Sequence, residues 1–465
     1  MNRILVSNVD LRNCLRANLL IYSMVTTKEF CVARFSANRA EAVAAYRFLG
    51  NQKVSPNSLI EAITHKATSK MKPGEHYLAI EDTTQLNFNK HKKRLKKNTL
   101  GVIGDNKSLG FFLHPVLLVG ILSGPIGYGA IEIMDRPVDR DPNKKANRKN
   151  LPIEEKESYR WIKASQDINN KNINNSTVTY VCDREASFHQ MFDRIPGEYA
   201  HILIRLKGKR ILKTGNTEQI LLEAPLKGTK QIEIRGDIRK NTTSRQAKLE
   251  IRFVKVTLEP KGKEIQADGT KVTPNPVEVY LIEAKEVNSD VATPIHWVLV
   301  TTHPIETLEQ AEECIGWYEE RWYIETLFRL LKKEGFKFEN SELTTGDALK
   351  KQIILGLEAS LQIMMLYIGY KKKSQAPIEN IFNHIEVKAI EILTRKYEGK
   401  TTKQKNPYPK GTVSWGAWTI ARMGGWKGYE TQRPPGVLTF FEGLKLFNNM
   451  LQGREALEEL TTFKT

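Results

Sequence analysis

Tyr77-Leu78-Ala79-Ile80-Glu81-Asp82-Thr83-Thr84 is the stretch on which the reading of this chain turns. Four apolar residues form a β-type run that ends on two carboxylates. A carboxylate at the end of a buried strand is costly unless something neutralises it. A second run of the same kind, residues 177–181, leads into Cys182-Asp183-Arg184-Glu185. Between them the pattern predicts strands at 115–119 and 128–134 around a Gly124-Pro125 turn, and a helix at 154–164. A short helix at 186–194 and a strand at 201–206 follow. The first three strands, close in sequence, predict an antiparallel meander. The whole order predicts a mixed α/β core.

Working outward, residues 207–290 change texture. They are rich in Lys, Thr, Gly and β-branched residues, with alternation in 231–235, 249–256 and 277–282. This predicts an inserted antiparallel β-subdomain, after which the α/β pattern resumes at 296–300. Residues 1–68 read as helical, with Ser55 as N-cap and Pro56 at the first helical position. Residues 347–369 form a strongly apolar helix, and Lys371-Lys372-Lys373-Ser374 marks a junction. The remainder is helical with a basic loop at 400–410. In the final helix, Val437, Phe440, Phe441, Leu444, Phe447 and Leu451 make an apolar stripe that packs on its own domain or on a second subunit. The expected domains are 1–68, 69–370 and 371–465.

A third carboxylate stands out in Tyr318-Glu319-Glu320-Arg321-Trp322-Tyr323-Ile324-Glu325, followed by Lys332. On one helix over 308–333, Tyr318, Arg321, Glu325 and Lys332 fall within an arc of roughly 60°. That stripe joins a carboxylate to a hydroxyl, a guanidinium and an ammonium, groups that hold phosphate oxygens. Each carboxylate alone has a plainer use. Asp82 can cap a turn through Thr83 or Thr84, Asp183 can cap the helix after it, and Glu325 can pair with Arg321 or Arg329. Jointly they offer oxygen ligands for Mg²⁺ or Mn²⁺. Two such ions about 4 Å apart serve in-line displacement at phosphorus.

The 465 residues carry 71 Lys and Arg against 53 Asp and Glu, a net charge of +18 that suits a polyanion. No apolar run approaches the roughly 20 residues of a spanning helix, so a membrane is not the expected partner. The N-terminal pattern, with Arg3, Asp10, Arg12 and Arg16 ahead of a short apolar patch, predicts no secretory leader. The four cysteines lack pairing or zinc spacing and read as reduced thiols of a cytoplasmic protein. The nine histidines show no clustered ligand spacing. There is no phosphate-binding glycine loop. Cys182 has no visible histidine partner and reads as a buried structural thiol.

At these residues the chain resembles the bacterial DDE cut-and-paste transposases of the IS-four group. The group's Tyr-x2-Arg-x3-Glu-x6-Lys signature is matched by Tyr318, Arg321, Glu325 and Lys332, and its two aspartates by Asp82 and Asp183. Ala45-Tyr46-Arg47-Phe48 and Ala421-Arg422-Met423-Gly424-Gly425 extend the likeness. The resemblance implies an RNase H-like core interrupted by a β-subdomain and flanked by helical domains. It implies Mg²⁺ or Mn²⁺, two ions, held by Asp82, Asp183 and Glu325. It implies double-stranded DNA as substrate, at transposon ends and target, and a homodimer joined through C-terminal helices. Nicking, hairpin formation, hairpin opening and strand transfer follow from it, in the bacterial cytoplasm at the nucleoid. Trp297 matches the tryptophan that supports a flipped base, and Tyr318, Arg321 and Lys332 match phosphate-gripping positions. The likeness departs at the start, where members carry a further segment before the match to residues 10–22. The alternative this leaves is a shortened, dimerising inhibitor or relic.

Overall fold

The computed structural model describes residues 11–138, 150–213, 215–234, 245–287, 291, 294–332, 334–429 and 432–462, with side chains to residue 454. Residues 1–10, on which the end-binding expectation falls in part, lie outside the described set. Contacts divide the chain into two compact units. One holds Lys72–Asp82 and Asp141–Trp322, the other Met1–Met71, Thr83–Arg140 and Tyr323–Thr465.

The first unit is built on a large mixed sheet. Its strands run in the order His76–Glu81, Thr177–Cys182, Ala200–Arg205, His296–Thr301, Val277–Glu286, Arg245–Leu258 and Gly228–Ile234. The first three are parallel. The remaining neighbours are antiparallel. The sequence dictates the split. His76–Glu81 and Thr177–Cys182 are buried at every position after the first, as central parallel strands covered on both faces are. Arg245–Leu258 alternates buried and open positions, as a strand with one wet face does.

His76–Glu81 pairs parallel with Thr177–Cys182 along one edge. The strands of the expected β-subdomain are antiparallel, but they hydrogen-bond onto the core through His296–Thr301 and extend the same sheet. Helix Tyr159–Lys171 sits later than expected and buries Trp161, Ile162 and Ile168. Helix Leu308–Glu320 starts at a capping box made by Thr307 and Gln310.

The second unit wraps around helix Gly346–Lys371. Contrary to the expectation of no apolar run near spanning length, this helix is long and apolar enough to cross a membrane, and 94% of its most apolar window is buried. It packs against helices Leu11–Thr27, Arg39–Gly50, Pro56–Thr68, Val413–Met423 and Val437–Thr462, and strand Gly124–Met134. That strand pairs antiparallel with Leu109–Gly120, as does Thr84–Asn87, a short strand the sequence reading missed. Lys351 is buried on the central helix, and its Nζ donates to the carbonyls of Leu49 and Asn51 at 3.0 and 2.7 Å. A cation there meets the negative end of helix Arg39–Gly50. Val437, Phe440, Phe441, Leu444 and Phe447 are at most 1% exposed. Their stripe is therefore filled within the chain, and the exposed side of that helix carries Leu446 and Met450 instead.

Candidate functional site

The two parallel strands place the aspartates. The last registered pair is Ile80 opposite Val181, and both aspartates lie two residues beyond it. Neighbouring strands run about 4.8 Å apart, so Asp82 and Asp183 leave adjacent strands at one level, at their carboxyl ends. That edge is where open α/β sheets receive ligands.

Each aspartate is half-buried. Asp183 caps the short turn Arg184–Ala186, its Oδ1 accepting the Glu185 N–H at 2.7 Å. This plainer use occupies one oxygen only. Asp82 accepts from Arg321 Nη1 at 3.3 Å. The Thr83 hydroxyl meets His114 Nδ1 at 2.9 Å.

Arg321 stands at a break. Helix Leu308–Glu320 ends there, and a new helix, Trp322–Leu331, begins. The Arg321 N–H reaches back to the Tyr318 carbonyl at 3.1 Å, a tight final turn. The expected single helix over 308–333 is thus two, and the constant 100° step does not carry across Arg321. The Arg321 guanidinium lies 5.9 Å from the ring centroids of both Tyr318 and Trp322. Tyr318 is only 4% exposed. Burial pushes its hydroxyl up, while the charges of Arg321 and Arg205 pull it back. Trp297, half-buried opposite Ala284, stands edge-on to Tyr318 at 5.4 Å.

Asp82, Asp183, Trp297, Tyr318 and Arg321 thus belong to the unit of the mixed sheet. Glu325 and Lys332 belong to the other unit. Glu325 is half-buried in the first turn of Trp322–Leu331. Lys332 follows that helix, its N–H bonded to the Phe328 carbonyl at 3.1 Å. Arg329 pairs with Glu334 at 3.3 Å. Among the described residues no three His, Cys, Asp or Glu side chains gather closely enough to hold a metal ion. The oxygen donors of Asp82 and Asp183 fit a hard divalent cation in kind.

Three groups escaped the sequence reading. Glu81 is fully buried and accepts from Cys182 Sγ at 3.0 Å and Ser165 Oγ at 3.3 Å. Burial, then the Glu81 charge, pushes the Cys182 thiol well above its ordinary value. Such a thiol is a hydrogen-bond donor and a poor nucleophile. Arg160 binds Glu185 at 2.7 Å and the Glu157 carbonyl at 2.8 Å. Burial pulls its pKa down against the carboxylates of Glu185, Glu157, Asp82 and Glu81. Arg160 lies within the expected helix at 154–164, but no local pattern marks it as the residue that meets Glu81 and Asp82.

The third group is a histidine cluster at the other end of the strands. Thr179 Oγ1 bonds His76 Nε2 and His303 Nε2, each at 2.7 Å. His201 stacks on His303 at 4.0 Å, and Trp317 lies against His76 and His303. Burial, reinforced by neighbouring imidazoles, lowers His76 to about 4 and His303 to about 3.

Residues 163–361 match the family described as Transposase DDE domain, a span that contains Asp183, Trp297, Tyr318, Arg321, Glu325 and Lys332 but not Asp82. That match supports a DDE transposase. The chain is also similar to a piggyBac transposase in a cryo-EM structure of its synaptic complex with hairpin DNA. The identity is 10%, over 79% of this chain and 68% of that one, with a TM-score of 0.35. A likeness this slight does not bear on the site.

Proposed function

We propose that the protein is a cut-and-paste DNA transposase whose reacting site is formed by Asp82, Asp183 and Glu325 with divalent metal ions. One observation carries the reading: two carboxylates leave neighbouring parallel strands at the same level, and Arg321 of the signature touches the first of them. Glu325 comes four residues after Arg321 in the chain.

Asp82, Asp183 and Glu325 would hold Mg²⁺ or Mn²⁺, which when bound activates a water or 3′-hydroxyl and stabilises the leaving oxygen. Arg321 neutralises Asp82 in the free protein and turns its remaining donors to phosphate oxygens when DNA arrives. Tyr318, its hydroxyl held protonated by burial, donates to the same backbone. Lys332 adds a point charge to a neighbouring phosphate. Trp297 offers a ring face to an unstacked base. These contacts grip backbone and ring faces and carry no sequence readout.

The finer reading follows the IS-four resemblance. It comprises end binding by residues 1–68, catalysis by 69–370 and pairing through 371–465. A homodimer synapses two ends in the bacterial cytoplasm, then nicks, forms and opens hairpins, and transfers strands. The test is an excision assay with Mg²⁺ or Mn²⁺ on a duplex carrying terminal repeats. Asp82→Ala, Asp183→Ala and Glu325→Ala should each abolish cleavage and keep DNA binding. Cleavage at the wild-type rate by any one of them removes that residue from the site.

A further inference from the structure

The motif Ala421-Arg422-Met423-Gly424-Gly425 is explained only in part by packing. Helix Val413–Met423 ends in a Schellman turn: Trp426 N–H reaches the Ala421 carbonyl, Gly425 N–H reaches Arg422, and Gly425 has φ +92°. A Cβ at Gly424 would strike the Thr439 carbonyl at 2.0 Å, so this glycine lets helix Val437–Thr462 cross closely. Arg422 ties the following loop, donating to the carbonyls of Tyr397, Trp426 and Lys427. Its Nε stays buried without a hydrogen-bond partner.

That arginine lines a cavity of about 360 Å³ between the ends of helices His384–Tyr397 and Val413–Met423. Lys396 and Lys427 stand at it, with the rings of Tyr397 and Tyr429. Tyr429 is 39% exposed. Nearby lysines of the basic loop are paired, Lys405 with Glu398 and Lys410 with Glu391. Lys396, Lys400, Lys403 and Lys427 make no ion pair among the described residues, and all four are exposed. Among the described residues Glu398 is the one acid lining the cavity, and it is already engaged by Lys405 and the Asn406 N–H. The local balance is positive.

Free cations beside aromatic rings, around a cavity of ligand size, are the elements of a single-strand nucleic-acid site. Free lysines continue past the cavity in the chain at Lys400 and Lys403, which fits a strand better than a lone nucleotide. We propose that this cavity binds an unpaired DNA strand. Phosphates lie on Lys396 and Lys427, a base lies against Tyr429, and Arg422 Nε donates from the floor. The proposal deepens the transposase reading and rests on it, since strand transfer exposes unpaired DNA.

The test measures binding of the full chain to labelled oligothymidylate and to a duplex of equal length, across a salt series. Lys396→Ala/Lys427→Ala should weaken binding about tenfold and make the log–log salt slope shallower by roughly 2. Tyr429→Ala should weaken the oligothymidylate complex roughly fivefold or more and leave the duplex complex nearly unchanged. A wild-type slope in the double variant, or unchanged oligothymidylate binding by Tyr429→Ala, overturns the proposal. Lys396→Gln/Lys427→Gln repeats the comparison if the alanine pair unfolds early. A wild-type protein that binds the strand but never cuts DNA sinks the transposase reading and leaves this site standing.

Discussion

Strand His76–Glu81 has a titratable cluster at each end, roughly 20 Å apart, and the two ends are opposite in character. At its finish Glu81, Asp82 and neighbouring Asp183 face the cations Arg160 and Arg321. At its start His76 and His303 share the Thr179 hydroxyl and His201 stacks on His303, and among the described residues no carboxylate bonds His76 or His303. Both clusters are partly buried. Guanidinium groups lie beside the acidic end, whereas burial, then neighbouring imidazoles, lowers the pKa values at the histidine end. On the proposed reading the acidic end serves phosphodiester chemistry, while the histidine end joins neighbouring strands through Thr179.

The largest expected effect breaks this comparison at the acidic end. Asp183→Ala should lower DNA cleavage at least about 100-fold, while His303→Asn keeps it near wild type. An excision assay in which the two variants lose equal activity would erase the distinction.

Acid should attack the opposite end first. The folded pKa values of His76 and His303, about 4 and about 3, lie below the ordinary 6.5. The unfolded chain therefore binds protons first as pH falls. The stability these imidazoles contribute is whole above pH 6.5 and drains away as pH drops toward those values, by roughly 3–5 kcal/mol for each in order of magnitude. Urea unfolding at successive pH values reads this out, and His303→Asn should flatten the slope. An unchanged slope in that variant would take His303 out of the acid response.

Thr179→Val should cost about 1–2 kcal/mol, because it strands the ring nitrogens of His76 and His303. Cleavage by the refolded variant should not change; a fall in turnover at full stability would tie the two ends together. The smallest effect is at Cys182. Its raised pKa and full burial should keep it unalkylated in the native protein while denatured chains react, as peptide mass mapping would record. Fast native alkylation would mean that Glu81 is open to solvent.

The acidic end was legible because each aspartate ends an apolar run, and such runs are what central parallel strands require. The histidine end was not, since positions 76, 201 and 303 meet only through strand pairing, and no local spacing announces them. The break at Arg321 was also invisible. Tyr318 to Glu325 contains neither glycine nor proline, so helical periodicity runs straight through the turn at Arg321. Alternation in 249–256 read correctly as antiparallel strand, but alternation says nothing about which sheet the strand joins. Glu81 was read as part of an acidic run because the thiol and hydroxyl that satisfy it lie on distant segments.

The most direct test of the central claim is metal-directed backbone cleavage. Fe²⁺ with ascorbate and peroxide, bound in place of Mg²⁺, cuts the chain next to its ligands. The account predicts fragments ending near Asp82, Asp183 and Glu325, suppressed by excess Mg²⁺ and lost in Asp82→Asn. Fragments ending near His76, His201 and His303, or cleavage indifferent to Mg²⁺ and to Asp82→Asn, would contradict it.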